Sequence, residues 1–219
     1  MGKAELTPLH LAAYNARPRV IRLLVQKGTD IKKKSKYGMN VIHFAAKNNQ
    51  PWLIAYFREE HGFDLDERDE DGNTPFHWAC HFGSVNAAEF LLKWTPSSLN
   101  AKNKLGLSPL HLAVESVLRS DSIRLIRVLL FAGADRNQVD SRGQKPIDIV
   151  RDVKENRPII TELENALIES NDCQCLMLKI PLKKLKPNSR LVFTFILLHC
   201  VTHFFTWTLV LPSTLVIDL

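Results

Sequence analysis

The feature that most constrains this chain is a four-residue frame that returns at a nearly constant distance. Thr7-Pro8-Leu9-His10, Asn40-Val41-Ile42-His43, Thr74-Pro75-Phe76-His77 and Ser108-Pro109-Leu110-His111 share it, and Lys145-Pro146-Ile147-Asp148 is a degenerate fifth copy. Measured at the fourth position, the steps are 33, 34, 34 and 37 residues. A period of that size means one supersecondary unit stacked on copies of itself, since a single unit cannot bury its own apolar face.

Each position in the frame has a physical role. Thr7, Asn40, Thr74 and Ser108 are helix N-caps, whose side-chain oxygen accepts from the first free amides. Pro8, Pro75, Pro109 and Pro146 follow at the first helical position, where a missing amide costs nothing. The pairs Ala12-Ala13, Ala45-Ala46 and Ala79-Cys80 are small enough to let a second helix approach. Two residues before each cap from the second unit onward stands a glycine, Gly38, Gly72, Gly106 or Gly143, suited to a tight hairpin. A second helix then carries an apolar stripe: Val20, Leu23, Leu24; Leu53, Ile54, Phe57; Ala88, Leu91, Leu92; Leu125, Val128, Leu129. These stripes are expected to form core, with Gly28 and Gly133 as left-handed caps. Each unit reads turn, helix, helix.

Residues 1 to about 170 resemble the ankyrin-repeat family through this Thr-Pro-Leu-His frame and its phased glycines. The resemblance implies an all-α repeat solenoid, an L-shaped stack of helix pairs with β-hairpin loops projecting to one side. It also implies protein binding without catalysis, and His10, His43, His77 and His111 hydrogen-bonded to their caps and to backbone, not to a metal. Asn40-Val41 in place of Thr-Pro predicts a second unit that is intact but less tightly capped. Asp148 in place of histidine, together with about three extra residues near Ser116 to Ser122, marks a divergent C-terminal end whose last unit acts as a cap.

Repeat stacks bind partners through hairpin tips and the exposed side of the first helices, which are free of packing duties. The tips carry Tyr37 and Met39, Asp71 and Asn73, Leu105 and Leu107, Arg142 and Gln144; the first helices carry Tyr14, Asn15, Lys47, Asn48, His81, Phe82, Glu115 and Ser116. Tyr37, Met39, Asp71, Trp78, His81, Phe82 and Leu105 are the expected partner-binding residues, since aromatic and large apolar anchors dominate interface energetics. Lys27, Lys32, Lys33, Lys34 and Lys36 crowd the first hairpin, and Asp64, Asp66, Glu67, Asp69, Glu70 and Asp71 the second. The two either neutralise each other or form a bipolar docking edge.

The net charge is +6, from 29 Lys and Arg against 23 Asp and Glu. Residues 171–219 hold five of those bases and two of the acids, so +3 sits on that stretch and +3 (24 against 21) on the remainder. That spread argues against a nucleic-acid face, which needs clustered cations on one surface. The basic cluster instead precedes an apolar run. Leu191 to Leu211 contains no Asp, Glu, Lys or Arg, and its 21 residues match the roughly 20 that cross a hydrocarbon core. The sequence therefore predicts an array over 1–170, a basic linker over 171–190, a transmembrane helix over 191–211 and an apolar stub over 212–219. Lys179, Lys183, Lys184, Lys186 and Arg190 place the array on the cytosolic side by the positive-inside rule. His199, Thr202, His203 and Thr206 within the span call for neighbouring helices.

The four cysteines, Cys80, Cys173, Cys175 and Cys200, do not form a disulfide pattern, and the Cys173/Cys175 pair beside the basic linker is suited to reversible S-palmitoylation. No cofactor, metal or catalytic residue is expected. The chain reads as the front end of a longer, multi-span protein. Its basic, Pro-interrupted linker running straight into an aromatic-rich span is similar to that of the ankyrin-containing DHHC-type palmitoyltransferases, whose repeats recruit substrate and whose membranes are Golgi or other endomembranes. Ankyrin-bearing cation channels, with a longer coupling region, are the other plan. The cysteine-rich catalytic segment of the transferases is absent from these residues.

Overall fold

A capping residue, a proline at the first helical position, or both mark each frame as a helix start, and the computed structural model, which describes residues 6–120, 122–152 and 158–168, begins a helix at each one. The described helices are α1 (Pro8–Tyr14), α2 (Pro18–Gln26), α3 (Val41–Lys47), α4 (Pro51–His61), α5 (Pro75–His81), α6 (Val85–Trp94), α7 (Pro109–Ser120), α8 (Arg124–Phe131), α9 (Pro146–Arg151) and α10 (Pro158–Ile168). A 3-10 turn, Pro96–Asn100, follows α6. They pair as inner and outer helices. The inner helices α1, α3, α5, α7 and α9 pack on one another in that order, and α4, α6 and α8 do the same on the outside. Met1–Glu169 form one compact unit.

The core follows from the frame. Its third position, Leu9, Ile42, Phe76 and Leu110, is fully buried in the first four units, and Ile147 in the fifth is partly buried. Each such side chain contributes roughly 1.5–3 kcal/mol relative to an exposed one. The small pairs Ala12-Ala13, Ala45-Ala46 and Ala79-Cys80 are buried beside them, so neighbouring inner helices close onto backbone and not onto long side chains. The extra residues before Ser122 lengthen α7 to 12 residues, against seven in α1, α3 and α5, and Ser116 on that extension is buried.

The connecting loops differ from the expected β-hairpins: no described residue lies in a strand. Each loop is a turn closed on itself. Asp69 N donates to Asn73 O at 2.9 Å and Gly72 N to Asp69 O at 3.0 Å, while Asp69 Oδ1 accepts from Asp71 N and Asn73 N. Asn103 and Asp140 repeat that side-chain clasp, and Ser35 supplies a hydroxyl to Met39 N. Successive loops are joined by one backbone bond per step: Glu70 N to Tyr37 O, Lys104 N to Asp71 O, Ser141 N to Leu105 O, each 3.0 Å. A single bond at each step is too little for a strand ladder.

Other sequence expectations are corrected by burial. Met39, expected at a tip, is buried, because its loop position turns it under the hairpin toward the core. Val20 and Leu23, expected in the core, are exposed, while Ile21 between them is buried. The linker, the transmembrane segment 191–211, the stub, Cys173 and Cys175 lie outside the described residues. Among the described residues no helix is long and apolar enough to cross a membrane.

Gly106 shows why these loops need glycine. Its φ is +73°, and a Cβ there would stand 2.7 Å from Ser141 N in the next loop. Gly28, at φ +75°, has nothing within 4 Å of the same position. Gly28→Ala should therefore cost only the left-handed strain, about 1 kcal/mol, and Gly106→Ala at least about twice that, in urea denaturation of the chain. Equal losses would show that the loop-to-loop approach carries no energy.

Candidate functional site

The motif histidines come first, because four imidazoles in register invite a metal or acid–base reading. His10, His43, His77 and His111 are all buried. In each, Nδ1 accepts from the backbone N–H of the cap residue three positions earlier, Thr7, Asn40, Thr74 or Ser108, at 3.2 Å. Nε2 points the other way, into the next unit: to Asn73 O from His43 (3.3 Å), Ala101 O from His77 (3.1 Å) and Gln144 O from His111 (3.1 Å). A carbonyl only accepts, so Nε2 carries the proton and the rings are neutral. Burial is the main cause that lowers all four pKa values, to about 4 for His43 and His77. The imidazoles are thus structural ties between units, and among the described residues no group of His, Cys, Asp or Glu is arranged to hold a metal.

The second unit pays a local penalty. The Thr74 and Ser108 hydroxyls donate to Nδ1 at 2.9 and 2.7 Å, and Thr74 Oγ1 also accepts from His77 N. Asn40 Oδ1 accepts from Ile42 N and His43 N but has no proton to give, yet it lies 2.7 Å from His43 Nδ1. Two acceptors face each other there. The Asn40 amide is meanwhile drawn to Glu67, which Lys34 pairs at 2.5 Å. At the fifth unit Asp148 keeps the capping half, accepting from Lys145 N at 2.9 Å, and has no ring to reach onward.

The expected docking residues divide into two groups. Trp78, His81 and Phe82 come together at the end of α5. Trp78 and Phe82 stack at 5.8 Å, and His81 meets Phe82 edge-on at 5.0 Å. Lys47 from the end of α3 lies over this cluster, its Nζ 4.4 Å from the Phe82 ring centre, 5.4 Å from Trp78 and 5.6 Å from Tyr14 of α1. Burial lowers the Lys47 pKa. No carboxylate pairs with it among the described residues. His81 Nδ1 stands 3.5 Å from Glu115 on α7, an ion-pair contact only when the imidazole is protonated. Tyr14, Lys47, His81 and Glu115 hold the same position in four successive units, the last residue of α1, α3 and α5 and the equivalent place inside the longer α7, so they form one row. Tyr14 and Phe82 remain exposed.

Tyr37, Asp71 and Leu105 are exposed on separate loop tips, and among the described residues no ring contact joins Tyr37 to the cluster. Trp78 is less free than its expected role required: its indole N–H donates to Asp69 Oδ2 at 2.7 Å. Sequence reading missed both Asp69 and Lys47 as organising residues. Asp69 was counted as loop charge, although Ser35, Asp69, Asn103 and Asp140 recur in phase with the frame. Lys47 emerges only when the frame is read down its last inner-helix column. Part of the bipolar edge is internal, since Glu67, Asp66 and Asp69 are engaged by Lys34, by Ser97 and Ser98, and by their own loop, while Lys32, Lys33, Lys36, Glu70 and Asp71 stay exposed.

Comparison with known proteins agrees with this geometry. A family model described as ankyrin repeats, in three copies, matches residues 2–69 and 42–140. Palmitoyltransferase AKR1 of Lachancea kluyveri is 27% identical over 165 residues, 74% of this chain and 22% of that protein. The B-cell lymphoma 3 protein homolog of Mus musculus is 31% identical over 134 residues, 60% of this chain and 29% of that protein. Transient receptor potential cation channel subfamily A member 1 of Homo sapiens is 33% identical over 114 residues, 49% of this chain and 10% of that protein. The chain spans under a third of the length of each.

Two outcomes follow for the histidine ties. His43 and His77 hold pKa values of about 4 when folded, against 6.5 ordinarily, so the unfolded chain binds more protons between those limits. Their contribution is complete above about pH 6.5 and lost as pH falls toward 4, on the order of several kcal/mol for the pair. Urea midpoints read by tryptophan fluorescence should drop between pH 7.5 and 4.5; a flat profile would contradict neutral, buried rings. Asn40→Thr restores a hydroxyl donor facing His43 Nδ1 and should raise the thermal midpoint by an equivalent of about 0.5–1 kcal/mol. A lowered midpoint would mean that the Asn40–Glu67 bond is worth more than the missing donor.

Proposed function

The chain belongs to the ankyrin-repeat family, and from that premise we propose that it is a protein-interaction array held at a membrane by residues 191–211, with the repeats in the cytosol. One observation carries the docking half of this reading: the row Tyr14, Lys47, His81 and Glu115, with Trp78 and Phe82, spans four units and presents aromatic faces around a cation that has no carboxylate partner among the described residues. Such a surface offers rigid apolar area and a charge that a partner's acid can complete. The array is read as non-catalytic. Sequence supports the membrane half: 21 residues without a charged side chain, preceded by five bases and no acid from Lys179 to Arg190.

A second reading is favoured by the match to a palmitoyltransferase over 74% of this chain. In it the array is the substrate-recruiting front end of such an enzyme, in a Golgi or other endomembrane, and Cys173 or Cys175 beside the basic linker is a lipidation site. The regulatory end of an ion channel is supported by a match over 49% of the chain.

Alkaline carbonate extraction of cells expressing the chain tests the anchor. The full chain should stay with the membrane pellet and a version ending at residue 190 should be released. In the same cells, proximity labelling by the Lys47→Ala/Phe82→Ala double variant should recover partners at about a tenth of the wild-type level, with the thermal midpoint unchanged. A full chain released by carbonate, or labelling indifferent to the double substitution, would refute the respective half.

A further inference from the structure

Elsewhere in the stack opposite charges meet across a junction: Lys34 reaches Glu67, Arg124 reaches Glu89 and Arg127 reaches Glu162. The inner-helix row is built otherwise. It places a cation on α3, Lys47, and an anion on α7, Glu115, with the rings of α5 between them. Both side chains are partly buried, and among the described residues neither is paired with a lysine, an arginine or a carboxylate.

The separation is held in place by α5. Lys47 Nζ is drawn over Phe82, 4.4 Å from the ring centre, with Trp78 at 5.4 Å. Trp78 stacks on Phe82 and is itself fixed by its indole N–H, which donates to Asp69 Oδ2 at 2.7 Å. Glu115 faces the Nδ1 edge of His81 at 3.5 Å, where that nitrogen is buried without a hydrogen-bond partner. Arg119, one turn further along α7, reaches the His81 carbonyl and does not pair with Glu115. Two opposite charges thus stand on one row, kept apart by an aromatic wedge and each short of a counter-charge.

We propose that the row takes a bipolar peptide segment of a partner protein: a carboxylate onto Lys47, an apolar side chain onto Phe82 and Trp78, and a lysine or arginine onto Glu115, in that order. The path from Lys47 Nζ through Phe82 (4.4 Å) and His81 (5.0 Å) to Glu115 (3.5 Å) bounds the two charges at about 14 Å, or about four residues of extended chain. Alternate residues of an extended segment share a face, so the three side chains fall at positions i, i+2 and i+4. Charge complementarity rejects uniform ligands. A polyacidic segment sets a carboxylate against Glu115, and a polybasic one sets a cation against Lys47. This ligand class presupposes that the row is the docking surface and names what docks there.

Selection from a random dodecapeptide library displayed on phage, against the whole chain in detergent micelles, reads the ligand class directly. Enriched peptides should carry an acid and a base about four positions apart around a large apolar residue. The leading peptide, followed by fluorescence anisotropy, should lose about tenfold or more in affinity with Lys47→Glu and with Glu115→Lys, and less with Lys47→Gln. The same peptide with its acid changed to lysine should regain binding to Lys47→Glu, which also shows that this variant is folded. Enriched peptides that lack either charge overturn the bipolar ligand and leave the docking row standing. Binding that is indifferent to both charge reversals but abolished by Phe82→Ala has the same meaning. An absence of enrichment, or peptides held equally by the Lys47→Ala/Phe82→Ala double variant, refutes the row as a docking surface and the ligand with it.

Discussion

One hydrogen-bonded ring recurs along the stack and ties His43, His77 and His111 each to the following unit. A buried imidazole accepts a hydrogen bond from its own cap amide at Nδ1 and donates one to a carbonyl of the next unit from Nε2. Because neutral imidazole has one acceptor and one donor on opposite edges, it can end one unit's helix start and hold the next unit's loop at once. Lysine or arginine offers donors only, and a carboxylate acceptors only. Asp148 makes the point within this chain: it caps α9 and stops. The loop glycines support the same coupling from the solvent side, bringing Gly72 and Gly106 against the backbone of the following turn. Stability in such a stack is carried mainly by neighbour-to-neighbour terms, so a weak junction is local. The Asn40–His43 opposition is of that kind, offset by Glu67 and Lys34.

Features set by the backbone of a single unit were legible in the sequence. The caps at Thr7, Thr74 and Ser108, the prolines after them, the glycines at positive φ and the buried third frame position all follow from local rules that hold wherever the unit sits. Features that depend on a neighbour were not. Val20 satisfies the helical periodicity of a core residue as well as Leu53 does, yet Val20 is exposed and Leu53 is buried. Met39 looks like a loop residue by position and is a core residue by direction. Asp69 reads as surface charge, while its two oxygens are taken by Asp71 N, Asn73 N and the Trp78 indole. A column read across all units would have exposed the last, since Asn103 and Asp140 do the same.

The docking row arises from the same logic in reverse. Inner-helix side chains that face the neighbouring units are fixed by packing, and those at the helix ends are not. Tyr14, Lys47, His81 and Glu115 therefore vary from apolar to cationic to anionic while the frame beneath them stays constant. Their backbone carbonyls, by contrast, are engaged: Asn48, Ser84 and Arg119 tie down the first three. The backbone at each inner-helix end is thus fixed by the next unit while the side chain stays free to be chosen for a partner.

This division explains why relatives with such different names match the chain at 27% to 33% identity. Caps, prolines, glycines, imidazoles and small pairs make up much of each unit, and any stack of this kind must repeat them. Likeness that comes from such positions reports shared architecture and is nearly silent about binding. What separates one array from another is the chemistry of the free columns. Here that chemistry is an ammonium beside the rings of Tyr14, Trp78 and Phe82, with an imidazole one unit further on and a carboxylate two units on. A relative that keeps the frame but places a different set in that row should share this fold without sharing its partner, whatever its overall identity.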